Sequence, residues 1–241
     1  MTRLGIAAES LPDACLIERL VDRLLAEKID WVVLESLDDH RTWAGLGGNE
    51  YLDVHGAREL ARERFGQAFY GHFQGEPGAH DALMYRAVFF LFADEDQRPS
   101  AVVIARDLDG DAERDRGFVQ AVKERPYPFA VVGALAQPEI EAWLVAAWTP
   151  ENPGEKKLLA EIRRDLGFNP TLRPEKLTSK NATDKKDAKR TLKKLCGAGR
   201  SGEDWWADVP LDRLRERGEN CGLSVFLVEA EKKVVPLVSG T

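Results

Sequence analysis

The run Ala101-Val102-Val103-Ile104-Ala105-Arg106 is apolar until its last residue and stops abruptly at three alternating acids, Asp107-Leu108-Asp109-Gly110-Asp111. A short β-branched run bounded by turn residues reads as a strand buried on both faces, the kind a parallel sheet requires. The acids then stand at its C-terminal end, the edge of an open α/β sheet where ligands collect. Carboxylates two residues apart in an extended segment point the same way. Asp107 and Asp109 are therefore expected to face one cation.

The flanking sequence supplies the rest of such a sheet. Residues 3–8 form a first strand ending at Glu9-Ser10, and Pro12-Asp13 opens a helix whose Leu16, Ile17, Leu20, Val21, Leu24 and Leu25 make one apolar stripe. Trp31-Val32-Val33-Leu34 reads as the second strand, which makes the opening a β-α-β unit with a right-handed crossover. The 35–99 segment is an elaborated connection, with a loop over 36–49, a polar helix over 54–69, a loop over 71–78 and a helix over 81–94. A charged helix over 112–124 precedes a fourth buried strand over 129–135. Gln137-Pro138-Glu139-Ile140-Glu141 then starts a helix with Pro138 in its first turn. Glu9, Asp107 and Glu139 thus all follow closely on strand ends.

Past Trp148 the chain changes character. Thr149-Pro150-Glu151-Asn152-Pro153-Gly154 is a turn-rich break, followed by charged helical sequence over 157–166 and 184–196, and by a helix over 222–235 that docks back on the sheet. The organisation expected is an α/β domain over 1–148, with a mostly parallel four-stranded sheet flanked by helices, and a helical, basic region over 149–241. No repeat or low-complexity tract interrupts it.

Charge is unevenly spread. The chain of 241 residues carries a formal charge of -7, yet residues 173–200 hold ten Lys and Arg against three acids. In the 184–196 helix, Lys185, Lys189 and Lys193 would form one column and Lys186, Arg190 and Lys194 the next. Such a strip, with Lys176 and Lys180 beside it, suits the backbone of a nucleic acid. Nothing in the sequence resembles a membrane span of ~20 apolar residues or a signal peptide, so a cytoplasmic protein is expected. Cys15, Cys196 and Cys221 lack zinc or disulfide spacing, and His40, His55, His72 and His80 include no i, i+4 pair.

Hard cations such as Mg2+ take oxygen ligands, often from only one or two carboxylates. Glu9, Asp107 and Asp109 meet that need, and Glu139 and Glu141 would serve as accessory acids. Plainer roles exist for each of them. Asp and Gly are ordinary turn residues after a strand. Glu139 and Glu141 would meet the positive end of a helix dipole. The lysine columns would make an ordinary solvated face, and Trp143, Trp205 and Trp206 would pack in the interior.

A strand ending in Glu9, then helix, strand, and a strand ending in Asp107-Leu108-Asp109 resembles the Toprim domain of topoisomerases, primases and OLD-type nucleases. The order Glu9-Ser10, Asp107-Leu108-Asp109-Gly110-Asp111, Gln137-Pro138-Glu139-Ile140-Glu141-Ala142-Trp143-Leu144 and Gly222-Leu223-Ser224-Val225-Phe226-Leu227 is similar to a bacterial Toprim-like family of unknown function. Here Ser10 stands where the Toprim glutamate is usually followed by Gly. The resemblance implies a Mg2+ (or Mn2+) site at Glu9, Asp107 and Asp109, with Glu9 as ligand or general base. It also implies hydrolysis of DNA or RNA, a setting in anti-phage defence, and an ATPase partner of the ABC/SMC type. Its rivals are a non-catalytic Toprim-like subunit of such an ATPase complex, and a phosphatase or receiver domain built on a nucleophilic Asp.

Overall fold

The structure, a computed structural model, describes residues 1–66, 72–197, 206 and 209–240. At its centre β1 (Thr2–Ala8) and β6 (Ala101–Asp107) run parallel and adjacent, with Leu4 opposite Ala101 and Ala7 opposite Ile104. Leu4, Ile6, Val102, Val103 and Ile104 are completely buried, as a strand covered on both faces must be. The sheet order is β2-β1-β6-β7, with β2 (Arg41–Ala44) and β7 (Ala130–Ala136) outermost and β3 (Leu52–Asp53) also pairing with β1. Both β2 and β3 are parallel to β1. The α/β class and the mostly parallel sheet expected from the sequence are therefore present, but the sheet has five strands rather than four because the short β3 also pairs with β1.

Helix α1 (Leu11–Lys28) is capped by Ser10, whose side chain accepts from the Asp13 N–H, and it buries the whole stripe from Leu16 to Leu25. The second strand is not where the apolar run predicted it. Trp31, Val33 and Leu34 are each more than half exposed, and a 3₁₀ helix follows over Leu34–Asp39. The strand forms instead at Arg41–Ala44. There Arg41 donates from Nε and Nη2 to the two Asp22 oxygens at 2.8 and 2.6 Å, and Trp43 donates to Asp22 at 3.2 Å. This charged anchorage on α1 outweighs local hydrophobicity, and only the fold brings its partners together.

The long connection is richer than the expected pair of loops and helices. It holds β3, then α2 (Ala57–Phe65), shorter than predicted, and a two-residue-a-side hairpin of β4 (His72–Phe73) and β5 (Glu76–Pro77). Helix α3 (Ala82–Ala93) follows within the expected 81–94 span, with Tyr85, Phe89 and Phe92 buried. Helix α4 (Ala112–Lys123) begins at Asp111, whose side chain accepts from the Glu113 N–H.

The contacts divide the chain into two units, the first comprising residues 1–106, 111–134 and 226–241, the second 107–110 and 135–225. In the second, α5 (Ile140–Ala147) is preceded by Pro138 rather than containing it, and Glu139 takes the N-cap position. Helix α6 (Pro153–Leu166) is capped by Asn152. Helix α7 is Ala188–Cys196, not 184–196, because Asp187 caps it by accepting from the Arg190 N–H. Asn181 and Asp184 likewise bind nearby backbone N–H groups, so 181–187 is a chain of turns. Lys185 and Lys186 thus precede the helix, and the predicted lysine columns lose their first members.

Helix α8 (Leu211–Arg217) and α9 (Leu223–Lys233) follow, then α10 (Val235–Ser239). Phe226, Leu227, Ala230 and Val234 are buried, and Lys233 donates to the Val131 carbonyl at 2.8 Å, so this helix docks on the sheet, as expected, at β7. Trp143 and Trp206 are buried; Trp205 and Arg200 lie outside the described residues. No helix among the described residues is long and apolar enough to cross a membrane.

Candidate metal centre

Asp107 is the last residue of β6, and its Oδ1 accepts the Ile140 N–H at 2.9 Å. A strand-end carboxylate thereby caps α5 in place of Glu139, whose own side chain makes no cap bond. Glu141 sits in the first turn, so all three acids gather at the positive end of one helix. One carboxylate oxygen from each of Asp107, Glu139 and Glu141 lies within 4.8 Å of the others, a spacing that fits a single metal ion.

Asp109 does not share this arrangement. The strand ends at Asp107, and Asp109 adopts a left-handed backbone with φ of 57°, so the alternation that would align it with Asp107 is lost. Its carboxylate meets Lys180 at 3.0 Å. Lys189, from the start of α7, reaches Glu139 at 3.4 Å and Glu141 at 3.6 Å. Burial pushes the Glu139 carboxyl above its usual pKa, and Asp187 and Asp109 add to that while Lys189 opposes it. On Lys189 burial favours the neutral amine, but Glu141 and Glu139 outweigh it and the ammonium holds its proton more tightly than usual. Lys180 and Lys189 thus each pair with acids of this edge. Glu139 Oε1 is buried and accepts no hydrogen bond from any described residue.

The basic strip therefore divides. Lys180 and Lys189 turn to the acids, while Lys176, Lys185, Lys186 and Lys193 are exposed and Lys194 is partly buried. Lys176 lies 5.7 Å from the Phe168 ring centre, and Arg190 donates to the Thr183 carbonyl.

Glu9, in the first unit, belongs to a network the sequence did not reveal. Glu9 directly follows β1 and Arg106 lies near the end of the adjacent β6, and the two side chains meet at that end of the sheet. Arg106 donates from Nη1 to Glu9 at 2.5 Å, and from Nε and Nη2 to Asp81 Oδ2 at 3.1 and 3.0 Å. His80 Nδ1 lies 2.7 Å from Asp81 Oδ1, and His55 Nε2 lies 3.5 Å from Glu9 Oε2. The result is a chain of alternating partners: His55, Glu9, Arg106, Asp81, His80. Asp81 is pushed up by burial, but Arg106 and His80 prevail and hold its carboxyl below the usual range. Sequence spacing offers no signal for this, because Glu9, His55, Asp81 and Arg106 come from four separate stretches. Set against protein-family models, curated proteins and solved structures, the chain finds no match.

Proposed function

We propose that this protein is a Toprim-like nuclease, dependent on Mg2+ or Mn2+, that hydrolyses phosphodiesters of DNA or RNA. The observation that carries the reading is Glu139 Oε1, buried without a hydrogen-bond donor among the described residues inside a set of three clustered carboxylates. A hard divalent ion is the partner such an all-oxygen set selects, and Asp107, Glu139 and Glu141 would hold it. When bound, the ion supplies the Lewis acidity that phosphodiester hydrolysis requires.

The chain's own side chains do the rest. The Ile140 N–H keeps Asp107 in place. Lys189, released from Glu139 and Glu141, would neutralise a phosphate oxygen. Lys185, Lys186 and Lys193, with Lys176, Arg190 and Lys194, would hold the nucleic-acid backbone through contacts that position without reading sequence. A role for Glu9 as ligand or base, an ATPase partner and an anti-phage setting are what the Toprim resemblance adds.

A second reading, a non-catalytic Toprim-like subunit, draws support from Lys180 and Lys189, which already compensate part of the acidic charge. Plasmid, linear duplex and RNA incubated with Mg2+ or Mn2+ decide between them, with Asp107→Asn and Glu139→Gln as comparisons. Cleavage lost in both folded variants supports the nuclease. Cleavage that survives both rejects the assignment, and cation binding without cleavage of any nucleic acid leaves the non-catalytic subunit.

A further inference from the structure

We propose that the first unit carries a site for a phosphate-class oxyanion at the carboxyl ends of β1 and β6, built from Arg106, Tyr85 and His80. It goes beyond the metal-dependent reading and does not rely on it. The carboxyl edge of a parallel sheet is where α/β proteins take up ligands.

Tyr85 supplies the observation that points to a ligand. Its side chain is completely buried on α3, and its hydroxyl has no hydrogen-bond partner among the described residues. The phenol stands in the field of four charges: burial raises its pKa, Asp81 and Glu9 add to the rise, and Arg106 and Arg114 oppose it. The hydroxyl therefore remains a proton donor within the field of these charges, and no described residue receives its hydrogen. Its ring is fixed against Phe118, with centroids 5.3 Å apart. A buried donor left in this condition is unfavourable, and an arriving oxygen would relieve it.

The other donors favour an anion of tetrahedral oxygens. A guanidinium has five N–H groups, and the bonds from Arg106 to Glu9 and Asp81 engage three of them. Glu9 and Asp81 hold the guanidinium plane rigidly, which suits the paired recognition of phosphate that arginine provides. The exposed His80 ring is anchored through Nδ1 by the buried Asp81 carboxylate, which leaves Nε2 for an incoming oxygen. Arg114, with Nε 3.8 Å from Asp81, adds a second guanidinium to the cluster.

The test titrates inorganic phosphate into the full chain in the presence of EDTA, by calorimetry and by thermal denaturation. Wild type is compared with Tyr85→Phe, His80→Asn and, as a control for the basic strip, Lys186→Ala. The expected result is saturable binding that weakens at least tenfold in Tyr85→Phe and several-fold in His80→Asn, and is unchanged in Lys186→Ala. In phosphate-free buffer Tyr85→Phe should melt no lower than wild type, since it deletes an unpartnered hydroxyl. Absence of saturable binding, loss of binding in Lys186→Ala alone, or a lower melting temperature of Tyr85→Phe without any effect on phosphate overturns the proposal. The last outcome would mean the hydroxyl holds a structural water. Oligonucleotides with and without a 5′-phosphate identify the source. A preference for the phosphorylated strand that Tyr85→Phe abolishes supports the site as one for a nucleic-acid end. Equal binding of the two strands with phosphate binding intact supports it as one for the free ion.

Discussion

Lys189 Nζ bridges Glu139 Oε2 and Glu141 Oε1 at 3.4 and 3.6 Å, so one ammonium on α7 stands as counter-charge to two acids at the start of α5. A divalent ion drawn to those carboxylates must compete with it. Lys189→Met should therefore tighten Mn2+ binding about threefold to tenfold, the range that about 0.7–1.4 kcal/mol for the two solvent-screened ion pairs together allows. Calorimetric titration of both proteins checks this. Weaker binding in Lys189→Met would show that the lysine assists the ion instead.

Glu139→Gln keeps the shape of the side chain while removing its charge. Cation binding should fall more than tenfold and the proposed nuclease activity about a hundredfold or more, because one of the three proposed ligands would lose its affinity for a hard ion. The melting temperature should stay within a few degrees of wild type. Activity unchanged beside weakened binding would separate the acids from the chemistry.

Glu18 makes the first unit sensitive to pH. Burial, with Asp22 and Glu50 nearby, raises its pKa from 4.5 to about 7, against the pull of Arg41. Between those values the folded state binds more protons than the unfolded chain. The stabilisation is complete below about 4.5 and is lost as pH rises through about 7. For a half-buried group screened by solvent the loss is about 1–2 kcal/mol. Glu18→Gln should be more stable than wild type by that amount at pH 8, with a flatter dependence of the urea midpoint on pH.

Gly222 explains part of the Gly-Leu-Ser-Val-Phe-Leu motif. Its φ is +87°, and a Cβ there would lie 2.2 Å from the Leu135 carbonyl oxygen. Next to it, the Cys221 carbonyl accepts from the Gln137 N–H at 3.0 Å and the Trp143 indole at 2.6 Å. Gly222→Ala should cost about 2–4 kcal/mol, combining left-handed strain with overpacking. Gly167→Ala shares the left-handed backbone but opens onto free space, and should cost only about 1–2 kcal/mol. Chemical denaturation of the two variants tests the difference.

Glu9→Gln tests the role the Toprim resemblance assigns. The charge-assisted bond from Arg106 becomes a neutral one, costing about 1–2 kcal/mol of stability. A loss of activity much larger than that of Asp109→Asn, at equal folded fraction, would place Glu9 in the chemistry; equal and small losses would leave it a structural partner of Arg106.

Features resting on local pattern were legible in the chain. The double-sided burial of β6, the stripe of α1 and the return of the last long helix to the sheet all follow from which neighbours are apolar, information carried within a few residues. The acids at the ends of β6 and before α5 were visible for the same reason. Which of them meet was not: a one-residue change of backbone at Asp109 turns its carboxylate to Lys180, while Asp107 reaches across to the N–H of Ile140.

Sequence by itself determined the α/β class, the strand character of β1 and β6 and a concentration of carboxylates after strand ends, because hydrophobic period and turn chemistry are local. Only the tertiary structure decided that β2 starts at Arg41, that Asp107 groups with Glu139 and Glu141, and that Glu9 pairs with Arg106. Those choices depend on charges that meet through strand register and helix packing, and such partners have no fixed spacing along the chain.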